Sequence, residues 1–312
     1  MAPEKNKLPV LLLMACMTGL AATYSLAGSK DAADGPRLNE LKQAIGRLQP
    51  LAEKLPAPKP GDWLYHHKED GQSFDAWRRQ TSAGARKKYR VIYLLPIGPI
   101  DKDRRPIVQA TAKMLEAFYN LPVKQLQPVQ LRAVPDKAQR LSRWGEKQLL
   151  TGYLLDEILL PRRPKDAAAL LGLTQEDLWP GEGWNFVFGQ ASLRRRVGVW
   201  SMRRYGDPTK SDQARRQVLL RTIRTALHET GHMFGMEHCT SWKCLMNGAN
   251  SLEEADSRPL AMCPDCLAKA CTVGRIDPAQ RYAKLEKVLK QLGLDDQAKE
   301  IARRREAIAP RP

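Results

Sequence analysis

The most informative segment of the chain is Leu227-His228-Glu229-Thr230-Gly231-His232-Met233-Phe234-Gly235-Met236-Glu237-His238-Cys239, which contains three of its five histidines. His228 and His232 are four residues apart, which on a helix is a rotation of about 40°, so both imidazoles leave one face. Such a pair can bind one Zn²⁺ at about 2.0–2.1 Å per nitrogen. Gly235 accepts positive φ at little cost, so we expect it to end the helix and let His238 return as the third ligand.

Glu229 completes the pattern. It follows the first histidine and points about 100° away from it on a helix, so its carboxylate reaches the zinc-bound water rather than the metal. A site with three protein ligands and one open position is typical of catalytic zinc. The five fixed positions arise by chance in such a chain with a frequency of about 10⁻⁵. By contrast, His66 and His67 lie in a polar stretch and are interpreted as ordinary surface residues.

A second group of ligand-type residues begins inside the same stretch. Cys239 and Cys244 are followed, after eighteen residues, by Cys263 and Cys266. The spacing is typical of a closed tetrahedral Cys₄ zinc site, although two disulfides are the alternative in an exported protein. Zinc is favoured because a C-x₂-C pair forms a strained disulfide and zinc needs no oxidant. Cys271 is then expected to be a buried, unreactive thiol.

The composition narrows the class of protein. The 312 residues allow one large domain or two small ones, and a hydrophobic fraction of 43% excludes wholesale disorder. The 51 Lys and Arg against 34 Asp and Glu give a net charge of +17. These basic residues occur in short groups along the whole chain, without a zinc-finger, RRM or basic-zipper pattern. A solvated basic surface is therefore favoured over binding of nucleic acid or another anionic partner.

Residues 1–30 have the pattern of an export signal. A positive start with Lys5 and Lys7 precedes the apolar run 8–15, and small residues fit a cleavage site after Ala27. Two alternatives stay open. Leu13-Met14-Ala15-Cys16 resembles a bacterial lipobox that would lipidate Cys16, and the uncharged run 8–28 could remain as a signal anchor. The protein is predicted to be exported, whether periplasmic, extracellular or tethered to a membrane as a lipoprotein.

The apolar periodicity predicts an α/β or α+β domain. Strands are predicted over 89–95, 129–134, 184–188 and 197–202, and helices over 38–55, 106–119, 139–160 and 213–234. Thr174-x-x-Asp177 is interpreted as a capping box that opens a short turn, and Gly293 is expected to separate two helices after Cys271. The predicted organisation is a signal peptide at 1–27, a helical segment with a Pro-rich linker at 28–60, a catalytic domain at 61–274 and a helical tail at 275–312.

Several motifs occur together in one order. They are His228-Glu229-x-x-His232-x-x-Gly235-x-x-His238-Cys239, Cys244-x-Met246, Asn250-Ser251-Leu252-Glu253-Glu254-Ala255-Asp256 and Cys263-Pro264-x-Cys266-Leu267, preceded by Gly61-Asp62-Trp63, the strand at 89–98 and Asn185-Phe186-Val187-Phe188-Gly189-Gln190-Ala191. On these motifs the sequence resembles the archaemetzincins, a branch of the metzincin zinc metallopeptidases, over about residues 60–270.

The resemblance implies a metzincin-like fold. A twisted mixed sheet with backing helices would stand above a zinc-binding active-site helix, and a small lower subdomain held by a Cys₄ zinc would follow Gly235. Met246 would form the Met-turn, an apolar base beneath the catalytic zinc. Two Zn²⁺ per chain are therefore expected, one catalytic and one structural.

The implied function is hydrolysis of peptide bonds by a zinc-activated water, with Glu229 as the general base. A peptide or protein substrate would lie extended and antiparallel to an edge strand of the sheet. The protein is expected to be a monomer, with membrane contact only through a lipid anchor or an uncleaved signal. The alternatives are a non-catalytic zinc-binding protein, disfavoured because a structural site has no use for Glu229, and a basic module that binds nucleic acid.

Overall fold

Two sheets are formed by the strands of the protein, whose computed structural model describes residues 35–309. In chain order the strands are β1 Val91–Pro96, β2 Val123–Gln125, β3 Gln139–Leu141, β4 Lys147–Leu150, β5 Ala167–Thr174, β6 Asp177–Trp179, β7 Gly189–Ala191 and β8 Val197–Ser201. The main sheet has the order β2-β1-β5-β8-β7 and the smaller sheet the order β3-β4-β6. In the main sheet only β7 runs antiparallel to its neighbour, so the sheet is mixed.

The inner strands of the main sheet are apolar on both faces. Every residue of β1 and β5 is buried. Alternate side chains belong to two different cores: Ile92 and Leu94 lie in one hydrophobic cluster, and Tyr93 and Leu95 in the other. Since a parallel strand needs cover on both faces, near-continuous apolar runs are what these positions require.

Helices supply that cover. In chain order they are α1 Gly35–Arg47, α2 Trp63–His66, α3 Phe74–Gln80, α4 Ala83–Lys88, α5 Arg105–Tyr119, α6 Thr151–Tyr153 with its π-helical continuation Leu154–Leu159, α7 Asp212–Met233, α8 Leu252–Asp256, α9 Pro264–Gly274, α10 Pro278–Gln291 and α11 Asp295–Ile308. Apolar residues of α5 and α7 share a core with one face of the sheet, and those of the π-helix share a core with the other. Sheet and helices thus form three layers.

The last two helices belong to the same core as the active-site helix α7. Tyr282 and Leu285 of α10 and Ile301 of α11 are buried in the cluster that also contains Leu227. Arg281 donates from Nε to the carbonyl of Phe118 at the end of α5, at 2.8 Å. The segment after residue 275 is therefore packed on α5 rather than held apart from it.

Several predicted elements are confirmed. The strands at 89–95 and 197–202 are β1 and β8, and the helices at 106–119 and 213–234 are α5 and α7. The two helices after Cys271 are α10 and α11, separated at Gly293, where φ is +67°. These elements have strong periodicity or end signals in their own sequence.

Other predictions are wrong, for local reasons. The strand predicted at 129–134 is a 3₁₀ turn at Leu131–Ala133, since prolines at both ends limit pairing, and β2 is the strand beside β1. The helix predicted at 139–160 is broken at Gly145, with φ +78°, so β3 and β4 precede the helix. The predicted helix at 38–55 ends at Arg47, and the strand predicted at 184–188 begins only at Gly189.

The capping box is also wrong. Thr174 closes β5 and Asp177 opens β6. The Thr174 hydroxyl accepts from the Glu176 amide at 3.1 Å, and the buried Asp177 carboxylate accepts two hydrogen bonds from Arg204, at 2.9 and 2.7 Å, instead of returning to Thr174 as a capping box requires. The export signal and Cys16 lie outside the described residues. Within 35–309, no helix has both the length and the apolar character needed to cross a bilayer.

Candidate active site and metal centres

Helix α7 carries the first half of the histidine motif. Ser211 caps its N-terminus, accepting from the Ala214 amide at 3.0 Å, and the helix runs without a break to Met233. Gly235 follows with φ of +77°, a conformation that favours glycine, and its amide donates to the carbonyl of His232 at 2.8 Å. The chain therefore turns back where the sequence predicted, and His238 returns to the helix.

The three predicted histidines lie together. Their ring centroids are 4.6, 4.8 and 5.3 Å apart. One nitrogen from each of His228, His232 and His238 falls within a group whose members all lie within 4.8 Å of one another. Nε2 of His228 and Nε2 of His232 are 3.0 Å apart, close to the separation of about 3.3 Å that two nitrogens have on one tetrahedral zinc.

Hydrogen bonds fix which nitrogen of each ring faces the others. Nδ1 of His228 donates to the carbonyl of Leu245 at 3.0 Å, and Nδ1 of His232 donates to that of Met236 at 2.7 Å. Both Nε2 lone pairs then point toward each other. Two lone pairs at 3.0 Å repel unless a cation lies between them, so the arrangement fits a bound metal ion.

Burial keeps these imidazoles in the form that binds metal. It lowers the pKa of His232 to about 3 and holds the pKa of His228 well below its ordinary value. Neutral imidazole is the ligand form of histidine. The residues present therefore fit Zn²⁺, with three nitrogen ligands from the protein.

Glu229 is buried beside the histidines. A Cβ placed on Gly189 would lie 2.6 Å from Glu229 Oε1, so the carboxylate rests against the backbone of the edge strand β7. Burial raises the pKa of Glu229 to about 8, against the attraction of the Arg258 guanidinium. The only partner of β7 in the described sheet is β8, so its outer edge lies beside this carboxylate.

Met246 lies beneath the motif. It is fully buried, and its Sδ would be only 2.6 Å from a Cβ at Gly231, so that position has no room for a side chain. The neighbouring carbonyl of Leu245 is the acceptor for His228. The predicted Met-turn residue therefore touches the helix between the two helical histidines.

The four predicted cysteines also lie together. All four are buried, and their sulfur atoms lie within 4.8 Å of one another without a disulfide among them. Sγ of Cys239 and Sγ of Cys263 are 3.7 Å apart, against about 2.0 Å in a disulfide and about 3.8 Å between two sulfurs on one tetrahedral zinc. Cys271 is apart from this group, and burial raises the pKa of its thiol to about 12.

The sequence did not single out Asn247. Its Oδ1 accepts from the Cys244 amide at 2.8 Å, and its Nδ2 donates to the carbonyls of Cys239 and Trp242 at 2.6 and 2.8 Å. One amide side chain thus closes the loop that carries the first two cysteines. The signal available in the sequence was an Asn directly after the Met-turn residue.

The sequence motifs did not indicate Glu69 or the aromatic residues around it as part of the site either. The Glu69 carboxylate accepts from Nδ1 of His238 at 2.9 Å. His67 stacks between Trp63, at 4.0 Å between centroids, and Trp184, at 5.7 Å. Among the described residues, neither His66 nor His67 belongs to a group of side chains that could hold a metal ion. The signal was weak, because the polar stretch around Glu69 reads as an ordinary surface segment.

Comparison with known proteins identifies the family. The sequence pattern of Peptidase family M54 matches residues 166–271. Archaemetzincin-2 of Rattus norvegicus is 33% identical over 301 residues, covering 86% of this chain and 83% of its own. Archaemetzincin-2 of Homo sapiens is 34% identical over 281 residues, covering 78% of this chain and 76% of its own. The crystal structure of an archaemetzincin from Methanopyrus kandleri has 28% identity and a TM-score of 0.48, covering 62% of this chain and 97% of its own.

The M54 match runs through the part of the chain that holds the three grouped histidines and the four grouped cysteines. A relative one third identical covers most of the chain, and the M54 match spans the histidine motif and all four grouped cysteines. The chain therefore belongs to the archaemetzincin family and is a zinc metallopeptidase.

Proposed function

We propose that the enzyme hydrolyses peptide bonds at a zinc ion held by His228, His232 and His238, with Glu229 as the general base. The observation that carries the proposal is the position of the Glu229 carboxylate. It lies on the same helix as two of the three histidines, is buried, and is pressed against the edge strand at Gly189.

Zinc bound there would supply Lewis acidity, which lowers the pKa of water and polarises the scissile carbonyl. The chain supplies the proton transfers. Glu229 takes a proton from the attacking water and later delivers it to the nitrogen of the leaving amine. Because Glu229 is next to His228 in sequence but rotated about 100° around the helix, it can take this role without being a ligand.

The edge strand β7 gives the substrate a place to bind. An extended peptide that pairs antiparallel with Gly189–Ala191 would extend the main sheet by one strand through backbone hydrogen bonds. Glu229 lies against the first residue of that strand. A peptide bond held there would lie beside Glu229. The strand β7 would therefore both bind the substrate and place it next to the group that transfers the proton.

We further propose that Cys239, Cys244, Cys263 and Cys266 hold a second, structural zinc. The 3.7 Å separation of Cys239 and Cys263 Sγ suits four sulfurs around one ion. Sγ of Cys244 also accepts from the amides of Cys263 and Met246, at 3.3 and 3.5 Å, which stabilises a thiolate. The proposed content is two zinc ions per chain.

The sequence of residues 1–30 supports a further proposal, that the enzyme is exported. We also propose that it acts as a monomer. Cleavage after Ala27, lipidation of Cys16 and retention as a signal anchor are the three forms this export can take. We propose the same division of the chain that the sequence predicts: a signal peptide that ends at residue 27, a linker segment that ends at residue 60, a catalytic domain that ends at residue 274, and a helical tail.

A digest of a peptide library, read by mass spectrometry, tests the catalytic proposal. Glu229→Gln should keep its zinc and its melting temperature but lose turnover by about 10²- to 10⁴-fold. Glu237→Gln, the same substitution in the same motif but outside the proposed machinery, is the matched control and should cleave like wild type. Equal cleavage by Glu229→Gln and the control would show that another group is the base.

A further inference from the structure

A segment that precedes the main sheet lies over the histidine site. Residues 61–70, here called the strap, are fastened at several points. The Trp63 amide donates to Glu254 Oε1 at 2.9 Å, and a Cβ on Gly248 would lie 2.2 Å from the Trp63 ring. The Trp63 ring also meets the ring of His238 edge to face, at 5.2 Å between centroids. The strap is therefore packed against the loop that carries the third histidine.

The strap places one carboxylate on that histidine. Oε1 and Oε2 of Glu69 lie 3.0 and 2.9 Å from Nδ1 of His238, and Trp63 Nε1 donates to Oε1 at 3.0 Å. The side chain of His238 is 15% exposed and that of Glu69 30% exposed. This contact is partly shielded from water, so its hydrogen bond is stronger than one on an open surface.

His238 depends on this contact more than the other two histidines depend on theirs. His228 and His232 are set on α7, and their Nδ1 atoms donate to nearby backbone carbonyls. His238 follows the end of the helix, so no helical frame orients its ring. Its Nδ1 partner is a side chain 169 residues away in sequence.

We infer that Glu69 is a positioning residue for His238 and through it sets the metal affinity of the histidine site. The Glu69 carboxylate holds the proton on Nδ1, which leaves Nε2 as the ligand atom and makes it more basic. The inference rests on the proposed function, in which these three histidines hold zinc. Carboxylate partners of ligating histidines typically change metal affinity by about 10- to 100-fold.

The test is zinc affinity of the full chain, measured by competition with chelators of graded strength. We expect Glu69→Ala to bind zinc at the histidine site about 10- to 100-fold more weakly than wild type. Glu69→Gln keeps an acceptor oxygen but loses the negative charge. Its zinc affinity should fall between those of wild type and Glu69→Ala. Asp70→Ala removes the neighbouring carboxylate but keeps the Asp70 backbone carbonyl, which accepts from Thr240 Oγ1 at 3.4 Å, and its zinc affinity should match that of wild type.

Two further variants separate positioning from simple anchoring of the strap. Glu254→Ala removes the acceptor that holds the Trp63 amide but leaves Glu69 on His238. If Glu69 only anchors the strap, Glu254→Ala and Glu69→Ala will weaken zinc binding equally, which overturns the inference. Co²⁺ exchanged into the site gives visible bands that report ligand geometry. These bands should change in Glu69→Ala and not in Glu254→Ala.

His232→Ala distinguishes failure of the inference from failure of the proposed function. If this variant keeps the labile zinc of wild type, the histidines are not the site and the proposed function fails. If it loses that zinc while Glu69→Ala binds it as tightly as Asp70→Ala, the inference alone is overturned. Melting of the metal-free variants identifies misfolding, and Glu69→Gln, which keeps the shape of the side chain, then decides the outcome.

Discussion

Gly189 is the position at which the proposed base can be displaced without touching a metal-ligand residue. A Cβ at this position would lie 2.6, 2.8 and 2.9 Å from Oε1, Cδ and Cγ of Glu229. The φ of Gly189 is not in the positive region, so the backbone accepts alanine. Gly189→Ala therefore adds one methyl group that meets the Glu229 side chain.

The contact distances set the size of the effect. To restore an ordinary contact of 3.4 Å, Oε1 must move by about 0.8 Å from its position at 2.6 Å. A misplacement of about 1 Å in a catalytic group can lower the rate about 10²-fold, so we expect kcat to fall by about that factor. The overpacking costs about 1–3 kcal/mol, offset in part by about 0.5–1 kcal/mol from replacing glycine in a strand, so the variant should fold.

Steady-state kcat and KM on a peptide taken from the library digest measure this prediction, together with zinc content and melting temperature. Gly152→Ala, in α6, adds a methyl group with nothing within 4 Å and is the matched control. Zinc content should be equal in wild type and both variants, because neither methyl group is placed against a histidine. A Gly189→Ala enzyme with wild-type kcat would refute the position assigned to the base.

Four other predictions concern metal content, stability, the oxidation state of the cysteines and processing. Freshly purified protein should contain two zinc ions, and the one at the histidine site, which has an open position, should leave first under mild chelation; one zinc or none by elemental analysis contradicts this. Cys263→Ser should lower melting temperature and activity together, since structural zinc contributes on the order of 10 kcal/mol in small domains. Thiol titration of metal-stripped, unfolded, unreduced protein should find the five described cysteines reactive in a chain cleaved after Ala27, whereas a single thiol would mean two disulfides. N-terminal sequencing and lipid labelling should show cleavage after Ala27 or just before Cys16, and an intact Met1 in a cytoplasmic fraction would contradict export.

The parts of the site that are local in sequence could be predicted from it. Two histidines four residues apart, with a glycine after them, specify one helix face and one turn, and α7 with Gly235 has that geometry. The cysteine spacing likewise placed four sulfurs in one group. In both cases a few residues close together in the chain carry the constraint, so no long-range contact had to be guessed.

The fold was harder to predict where the cause is tertiary. The central strand β5 begins Ala167-Ala168-Ala169-Leu170-Leu171, residues with no β-branched side chain and no alternation. It is a strand because β1 and β8 lie on its two sides and both of its faces are covered. Propensity is a weak guide for such a position, since the environment that fixes it is made by other parts of the chain.

Glu69 was missed for a similar reason. Its role depends on a contact with a residue 169 positions away, and its own neighbours are the polar residues of a surface segment. The resemblance already included Gly61-Asp62-Trp63, which begins the strap, but no rule of local spacing connects Trp63 to Glu254 or Glu69 to His238. Long-range partners of ligand side chains are thus the component that a single sequence conceals.

The cysteine group and the histidine group share one loop and so cannot be independent modules. His238 and Cys239 are consecutive, and the Cys239 amide donates to the Met246 carbonyl at 2.8 Å. The carbonyl before it, that of Leu245, receives Nδ1 of His228. Holding Cys239 and Cys244 on one ion would therefore fix the distance between the Met-turn and the histidines above it. A structural metal beside an active site is useful for this reason. It stiffens a loop that carries a metal ligand, His238, at one end and the Met-turn residue, Met246, at the other.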